Sequence, residues 1–182
     1  MGKPVSSPAT IYLLRHAHAA WAHPGQRDFG RQLDDRGRED ADLVGRALAR
    51  LPQQPEVVLC STAVRCRQTS EIVVSHMQKT PEIHYINALY NDDHRLYVDL
   101  LSQQTAFPTM LVGHNPMMED TLRTLCATAS EDAAERLRKG YPTAGLAVLR
   151  FQGATPDIRS GGHMEEFLYP KRLRKKARKV HS

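Results

Sequence analysis

Three short polar clusters in this sequence carry residue types suited to handling a phosphoryl group. They are Arg15-His16, Ser61 to Arg67 with Arg65 inside it, and Gly113-His114. A phosphoryl group spreads negative charge over three oxygens, and moving it requires a nucleophile, charge stabilisation and protonation of the leaving group. Arg15 and Arg65 offer planar guanidinium forks that match phosphate geometry. A neutral imidazole at His16 can attack phosphorus and hold the group covalently. His114, if protonated, can donate to a phosphoryl oxygen. A helix beginning near Val64 can add backbone donors at its N-terminus. None of this chemistry requires a metal or another cofactor.

For these clusters to cooperate, the fold must bring them to one place. Short β-type runs alternate with helical patterns along the chain, which predicts an α/β sheet. Thr10-Ile-Tyr-Leu-Leu14 reads as a first buried strand and Val57-Val-Leu-Cys60 as a second. Ile83-His-Tyr-Ile86, Thr109 to Gly113 and Leu146 to Phe151 read as further strands, and Ile158 as the start of another. Between them, Leu43, Val44, Ala47, Leu48 and Leu51 share one helical face. Residues 64 to 77 and the segment around Leu96, Tyr97, Leu100 and Leu101 also read as helices. Asn115 suits an N-cap and Pro116 a first turn, ahead of Met117, Met118, Thr121, Leu122 and Leu125. Each polar cluster then follows a strand. Loops at the carboxyl ends of strands in an open α/β sheet converge on a ligand crevice, so the three are expected to share one pocket.

The motifs resemble those of the histidine phosphatase superfamily, also called phosphoglycerate-mutase-like. Leu13-Leu-Arg15-His16-Ala17 is similar to its Arg-His-Gly signature. Ser61-Thr-Ala-Val-Arg65-Cys-Arg-Gln-Thr69 is similar to its second motif, and Leu111-Val-Gly-His114-Asn-Pro116 to its third. The likeness is strongest to small phosphohistidine phosphatases of the SixA type. It extends through Asp28-Phe-Gly-Arg31-Gln-Leu33, Arg36-Gly37-Arg38, Leu89-Tyr90, Tyr141-Pro-Thr-Ala144 and Pro170-Lys-Arg-Leu173, covering roughly residues 10 to 173. The resemblance implies that His16 is the phosphorylated nucleophile and that Arg15, Arg65 and His114 form the phosphate pocket. It also implies a three-layer α/β/α domain with a mixed, mostly parallel central sheet.

Departures from the pattern bear on the substrate. Ala17 stands where Gly is common, and Ala22 follows Trp21 where larger relatives have Asn. Those relatives carry a Glu after the third strand as proton donor; aligning on Leu89 puts Asn91 there, and an amide is no acid. Asp92, Asp93 and Asp28 are the candidate replacements. An alkoxide needs a proton in order to leave, whereas imidazole departs from phosphohistidine as a neutral molecule when its other nitrogen already carries one. A pocket without a strong acid therefore suits a P–N bond. The expected substrate is a phosphohistidine in a protein partner, with a small phosphorylated metabolite as the alternative. A phosphate-binding module without turnover is the reading from a different class.

Other readings of the same residues are weaker. Arg65 alone could be a solvated helix residue paired with Glu71 or Asp92. His16, His18 and His23 could begin a metal site, but no Cys or carboxylate pair stands at matching ligand spacing. A cysteine phosphatase needs a thiolate at a fixed spacing from Arg, and Cys60 precedes Arg65 by five positions and Arg67 by seven, on either side of it.

Composition sets the outer bounds. The 182 residues are 41% hydrophobic and 25% charged, enough for one domain with its own core. We divide the chain into a leader (1–9), the domain (10–173) and a basic tail (174–182). Three cysteines make no disulfide framework, and no apolar run reaches membrane-spanning length, so a cytoplasmic protein is expected. The start lacks the apolar core of a signal peptide. Gly2 with Ser6 fits the N-myristoylation pattern, one short enough to recur by accident. The net charge of +5 arises at one end: residues 171–179 hold seven basic side chains, and the remainder carries −2. With no interleaved aromatics for base stacking, that segment reads as a solvated tail or short basic helix, and neither nucleic acid nor membrane is an expected partner.

Overall fold

The computed structural model describes residues 8–153 and 155–180; the leader through residue 7, with Gly2 and Ser6, lies outside the described residues. Seven strands form one mixed sheet: β1 (Ala9–Arg15), β2 (Val57–Ser61), β3 (Glu82–Ile86), β4 (Thr109–Gly113), β5 (Cys126–Ala129), β6 (Leu146–Phe151) and β7 (Gly162–Leu168). Their order is β3-β2-β4-β1-β6-β7-β5. The first four run parallel, β6 alone runs antiparallel to its neighbours, and β5 pairs parallel with β7.

β1 and β4 are buried on both faces, which explains their unbroken apolar runs. Side chains alternate across a strand, so each strand feeds two cores. Ile11, Leu13 and Leu111 face one cluster, with Tyr97, Leu101, Met118 and Leu122 from α4 (His94–Ser102) and α5 (Met117–Leu125). Tyr12, Leu14, Met110 and Val112 face the other, with Val44 and Leu48 from α1 (Asp35–Leu48) and Val73 from α2 (Val64–Val74). Helices on both faces of the sheet complete three layers, as the sequence reading expects.

Some local expectations need correction. Asn115 is not the cap of α5: the helix begins at Met117 with Pro116 at the N-cap position, and the Asn115 Oδ1 is buried without a partner. The carbonyl of His114 instead accepts the Met118 N–H at 2.8 Å, so the first turn hangs from the histidine itself. Ile158 does not start a strand. It opens a 3-10 turn (Ile158–Ser160), after which Gly161 at φ 89 redirects the chain into β7. β5 and α6 (Glu131–Arg138), unforeseen in the sequence, lie at the sheet edge, and only Ala133 of α6 is buried.

Past β3 comes one turn of helix, α3 (Ala88–Asn91). At the far end, α7 (Pro170–Val180) is a docked helix. Leu173 packs against the α1 side of the core, and Arg174 pairs at 2.5 Å with Asp40, which is only 2% exposed. The boundary drawn between residues 173 and 174 falls inside this helix.

Candidate active site

β1, β2 and β4 end side by side, with Arg15 in register with Gly113 and Cys60 with Val112. Each delivers one cluster: Arg15 and His16 from β1, Ser61 and the start of α2 from β2, His114 from β4. Backbone bonds then fix the loop that carries His16. Its N–H donates to the Gly113 carbonyl at 3.1 Å, and its carbonyl accepts from Ala144 at 3.1 Å. Thr69 on α2 ties two motifs together: its Oγ1 accepts the Ala17 N–H at 3.0 Å and donates to the Arg65 carbonyl at 2.7 Å. Two close approaches demand glycine. A Cβ on Gly37 of α1 would lie 1.9 Å from the His18 carbonyl oxygen, and one on Gly113 would strike the Tyr97 ring at 2.7 Å.

Within this frame the imidazoles hold defined tautomers. His16 Nδ1 lies 2.8 Å from the Ala17 carbonyl, which can only accept, so Nδ1 carries the hydrogen and Nε2 keeps its lone pair. Arg65 Nε points at that lone pair from 3.3 Å. His114 Nδ1 faces Arg65 Nη2 at 3.2 Å and its Nε2 donates to Ser61 Oγ at 2.8 Å. The two rings stand 5.3 Å apart between centroids. Burial, reinforced by His114, Arg65 and Arg15, pushes His16 down to about 3 despite its bond to Ala17. Burial and Arg65 push His114 to about 4. Both rings are therefore neutral near pH 7 in this arrangement.

Arg15 precedes His16 as the last residue of β1. Its Nη1 donates to the Tyr141 carbonyl at 2.5 Å, its Nε is buried without a partner, and burial pulls the guanidinium below its ordinary value. Part of the expected phosphate fork is thus already engaged by backbone.

Of the three candidate acids, the structure brings only Asp28 to the site. Its carboxylate accepts from Arg65 Nη2 at 3.0 Å and from Tyr90 Oη at 2.9 Å. Burial alone would raise its pKa, but the hydrogen bonds from Arg31 and Tyr90 and the charge of Arg65 outweigh that and hold it at about 2. Asp93 instead caps α4, accepting from the Arg95 N–H at 2.8 Å, while Asp92 and Asn91 are exposed at the end of α3. Neither Glu71 nor Asp92 pairs with Arg65; Asp28 does. Sequence reasoning missed Ser61 as the partner of His114, Thr69 as a tether and Tyr90 as a donor to Asp28. All three lie inside the motifs that carry the resemblance, but nothing local signalled that Tyr90 would meet Asp28, 62 positions away.

The rival chemistries find little geometry. His18 bonds Asp34 at 2.6 Å, and among the described residues no three His, Cys, Asp or Glu side chains could share a metal ion. Cys60 is buried with its thiol pushed up to about 12, and the fully buried Cys66 is also raised, opposite to the shift a thiolate nucleophile needs. Trp21, 86% exposed, stands in solvent. Among the described residues no helix is long and apolar enough to cross a membrane.

Fold and site together define an α/β protein with two histidines and two arginines gathered at the strand ends. Comparison with known proteins gives the class its name. Residues 11–90 match the model of the histidine phosphatase superfamily, branch 1. A Mycobacterium tuberculosis protein of uncharacterised function is 33% identical over an alignment of 153 positions that covers 81% of this chain and 93% of that protein. A structure from Agrobacterium tumefaciens, assigned as the phosphohistidine phosphatase SixA, is 40% identical with a TM-score of 0.76, covering 90% of this chain and 99% of that one. The protein histidine phosphatase SixA complexed with tungstate shares the fold, with a TM-score of 0.71 at 21% identity over 90% and 99% of the two chains. The chain belongs to the histidine phosphatase superfamily, on its SixA side, and the match supports a phosphatase acting on a phosphorylated substrate.

Proposed function

We propose that this protein removes phosphate from a phosphohistidine in a protein partner, through a covalent intermediate on His16 and without a metal ion. The observation that carries the reading is the unprotonated His16 Nε2, held by the Nδ1 bond to Ala17 and faced by Arg65. Nε2 attacks phosphorus as the bond to the donor imidazole breaks, and that imidazole leaves neutral because its other nitrogen carries a hydrogen. The new phosphohistidine at position 16 is a cationic ring, since Nδ1 keeps its hydrogen on the Ala17 carbonyl. Water then attacks phosphorus, the bond to Nε2 breaks, His16 returns to its neutral form, and inorganic phosphate takes up the proton released from water.

In this reading Arg65 and Arg15 hold the phosphoryl oxygens, and His114 donates to one of them after the arriving dianion raises its proton affinity. Asp28, held near 2, is ionised and makes a poor acid. That favours a P–N bond over an alkyl ester. We take residues 10–173 to contain the catalytic machinery, in a cytoplasmic setting.

Mass spectrometry of enzyme mixed with phosphoimidazole and trapped without acid tests this directly. Phosphate should appear on His16, and phosphoimidazole should turn over faster than an alkyl phosphate. A clear preference for the alkyl phosphate would instead favour a small-molecule phosphomonoesterase. Failure even on an activated aryl phosphate, in a folded sample, would point to a binding module.

A further inference from the structure

The cation that best fits a phosphoryl group already holds an anion belonging to the chain. Arg65 donates from Nε to His16, from Nη1 to the Asp28 carbonyl at 2.8 Å, and from Nη2 to the Asp28 carboxylate at 3.0 Å, with Nη2 also against His114. No two-pronged face of this guanidinium is left for an incoming phosphoryl group. The Asp28 side chain lies on the solvent side, 51% exposed, while that of Arg65 is only 8% exposed. The carboxylate therefore covers the guanidinium from the direction in which a substrate arrives.

The segment carrying Asp28 is built to let go. It is a single 3-10 turn (Asp28–Gly30) with no buried residue. It is held mainly by polar contacts, Gln26 to the Gly30 carbonyl, Arg31 to the Ala20 carbonyl, Arg65 to the Asp28 carbonyl and Tyr90 to the Asp28 carboxylate, with the Phe29 ring edge-on to Tyr90 at 5.1 Å between centroids. Asp28 also has a second resting place, because its Oδ1 already accepts from Arg31 Nη1 at 3.0 Å while Oδ2 serves Arg65 and Tyr90. Swinging away from Arg65 leaves the carboxylate paired with Arg31.

We propose that Asp28 is an internal competitor for the phosphoryl seat, occupying Arg65 in the empty enzyme and exchanging with the phosphoryl group on binding. This rests on reading the pocket as a phosphoryl site. A carboxylate and a phosphoryl dianion on one guanidinium repel, so both cannot stay. The exchange weakens the hold on every anion, including product phosphate, and favours substrates whose remaining contacts offset the displacement. A phosphorylated protein has such contacts and free phosphate has none.

The test is the affinity for inorganic phosphate, measured by titration calorimetry on the intact protein and on Asp28→Asn, which keeps the shape and an acceptor for Tyr90 but removes the charge. Phosphate should bind about tenfold more tightly to the variant, the size expected for freeing one exposed charge-assisted contact. Tyr90→Phe, which removes a donor holding the carboxylate in place, should shift affinity in the same direction by a smaller factor and covers the case in which Asp28→Asn fails to fold. Unchanged or weaker phosphate binding in both variants overturns the proposal. So does a loss confined to the turnover of alkyl phosphates with phosphate affinity unmoved, which would make Asp28 an acid. Because the readout is binding of product, it stands apart from whether phosphate forms a covalent bond to His16.

Discussion

The pocket and the C-terminal helix are both rich in cations, yet physical chemistry treats them differently. Arg65 is 6% exposed and its donors are aimed at His16, His114 and Asp28. On α7, Lys171, Lys175 and Lys176 are exposed. The helix contributes most of what makes the chain basic, whereas the pocket contributes only two guanidiniums. Field strength follows burial and aim: a charge in a dry, preorganised site acts far more strongly than one screened by water. Counting charges along a sequence points to the wrong end of this molecule.

The sharpest way to break that contrast is to remove groups from each region in turn. His16→Ala should lower turnover of an aryl phosphate by roughly a thousandfold or more, since the nucleophile itself is gone. Near-normal activity would end the mechanism. Arg65→Ala should cost on the order of a hundredfold or more, and Arg65→Lys should recover little of it, because an ammonium cannot replace the fork. A lysine variant with full activity would reduce the pocket to a simple point charge, no different in kind from α7.

Acid stability separates the regions by sign. His16 has a folded pKa of about 3 against 6.5 unfolded, so between those values the unfolded chain binds a proton that the native protein refuses. The contribution of this burial is fully present above about pH 6.5 and is lost as pH falls toward 3. His114, at about 4, acts in the same direction. Denaturant midpoints measured across pH 7 to 4 should therefore fall less steeply for His16→Asn than for the parent. Identical slopes would mean that His16 is not held neutral by its surroundings.

How much of this was legible beforehand depends on the range over which each feature is specified. β1, β2 and β4 announce themselves because strands buried on both faces need continuous apolar runs, and the clusters following them place the site with no further information. α6 gave no signal, since a helix that buries only Ala133 has almost no apolar stripe. The cap expected at Asn115 was displaced by the His114 carbonyl, a contact set by how the strand meets α5. Tyr90 and Asp28 meet across 62 residues, and Arg65 and Asp28 across 37. Such pairs are fixed by packing, and no local pattern encodes them. The same distance explains why Asp92 and Asp93, neighbours of Asn91 in sequence, gave way to Asp28.

Thr69 sharpens the comparison at an intermediate size. Its hydroxyl bridges the Ala17 amide and the Arg65 carbonyl in a fully buried position. Thr69→Val keeps the shape but strands a buried N–H, at a cost of about 1–3 kcal/mol in stability. Activity should fall with it, since His16 and Arg65 lose their common tether, and Thr69→Ser should restore both. A stable Val variant with unchanged kcat would show that the strands alone align the two motifs.

The helix α7 completes the series with the smallest effects, and it is itself divided. Arg174 anchors on the 2%-exposed Asp40, whose other cation, Arg36, stands 3.8 Å away, so Arg174→Ala should cost about 1–2 kcal/mol in a denaturant melt. Replacing Lys171, Lys175 and Lys176 together by Gln should move stability by no more than about 0.5 kcal/mol per site and leave aryl phosphate turnover within about twofold, because solvent already screens these charges. If the triple variant instead lost activity as Arg65→Ala does, charge at a distance would rival buried charge in this enzyme, and the distinction between the two regions would collapse.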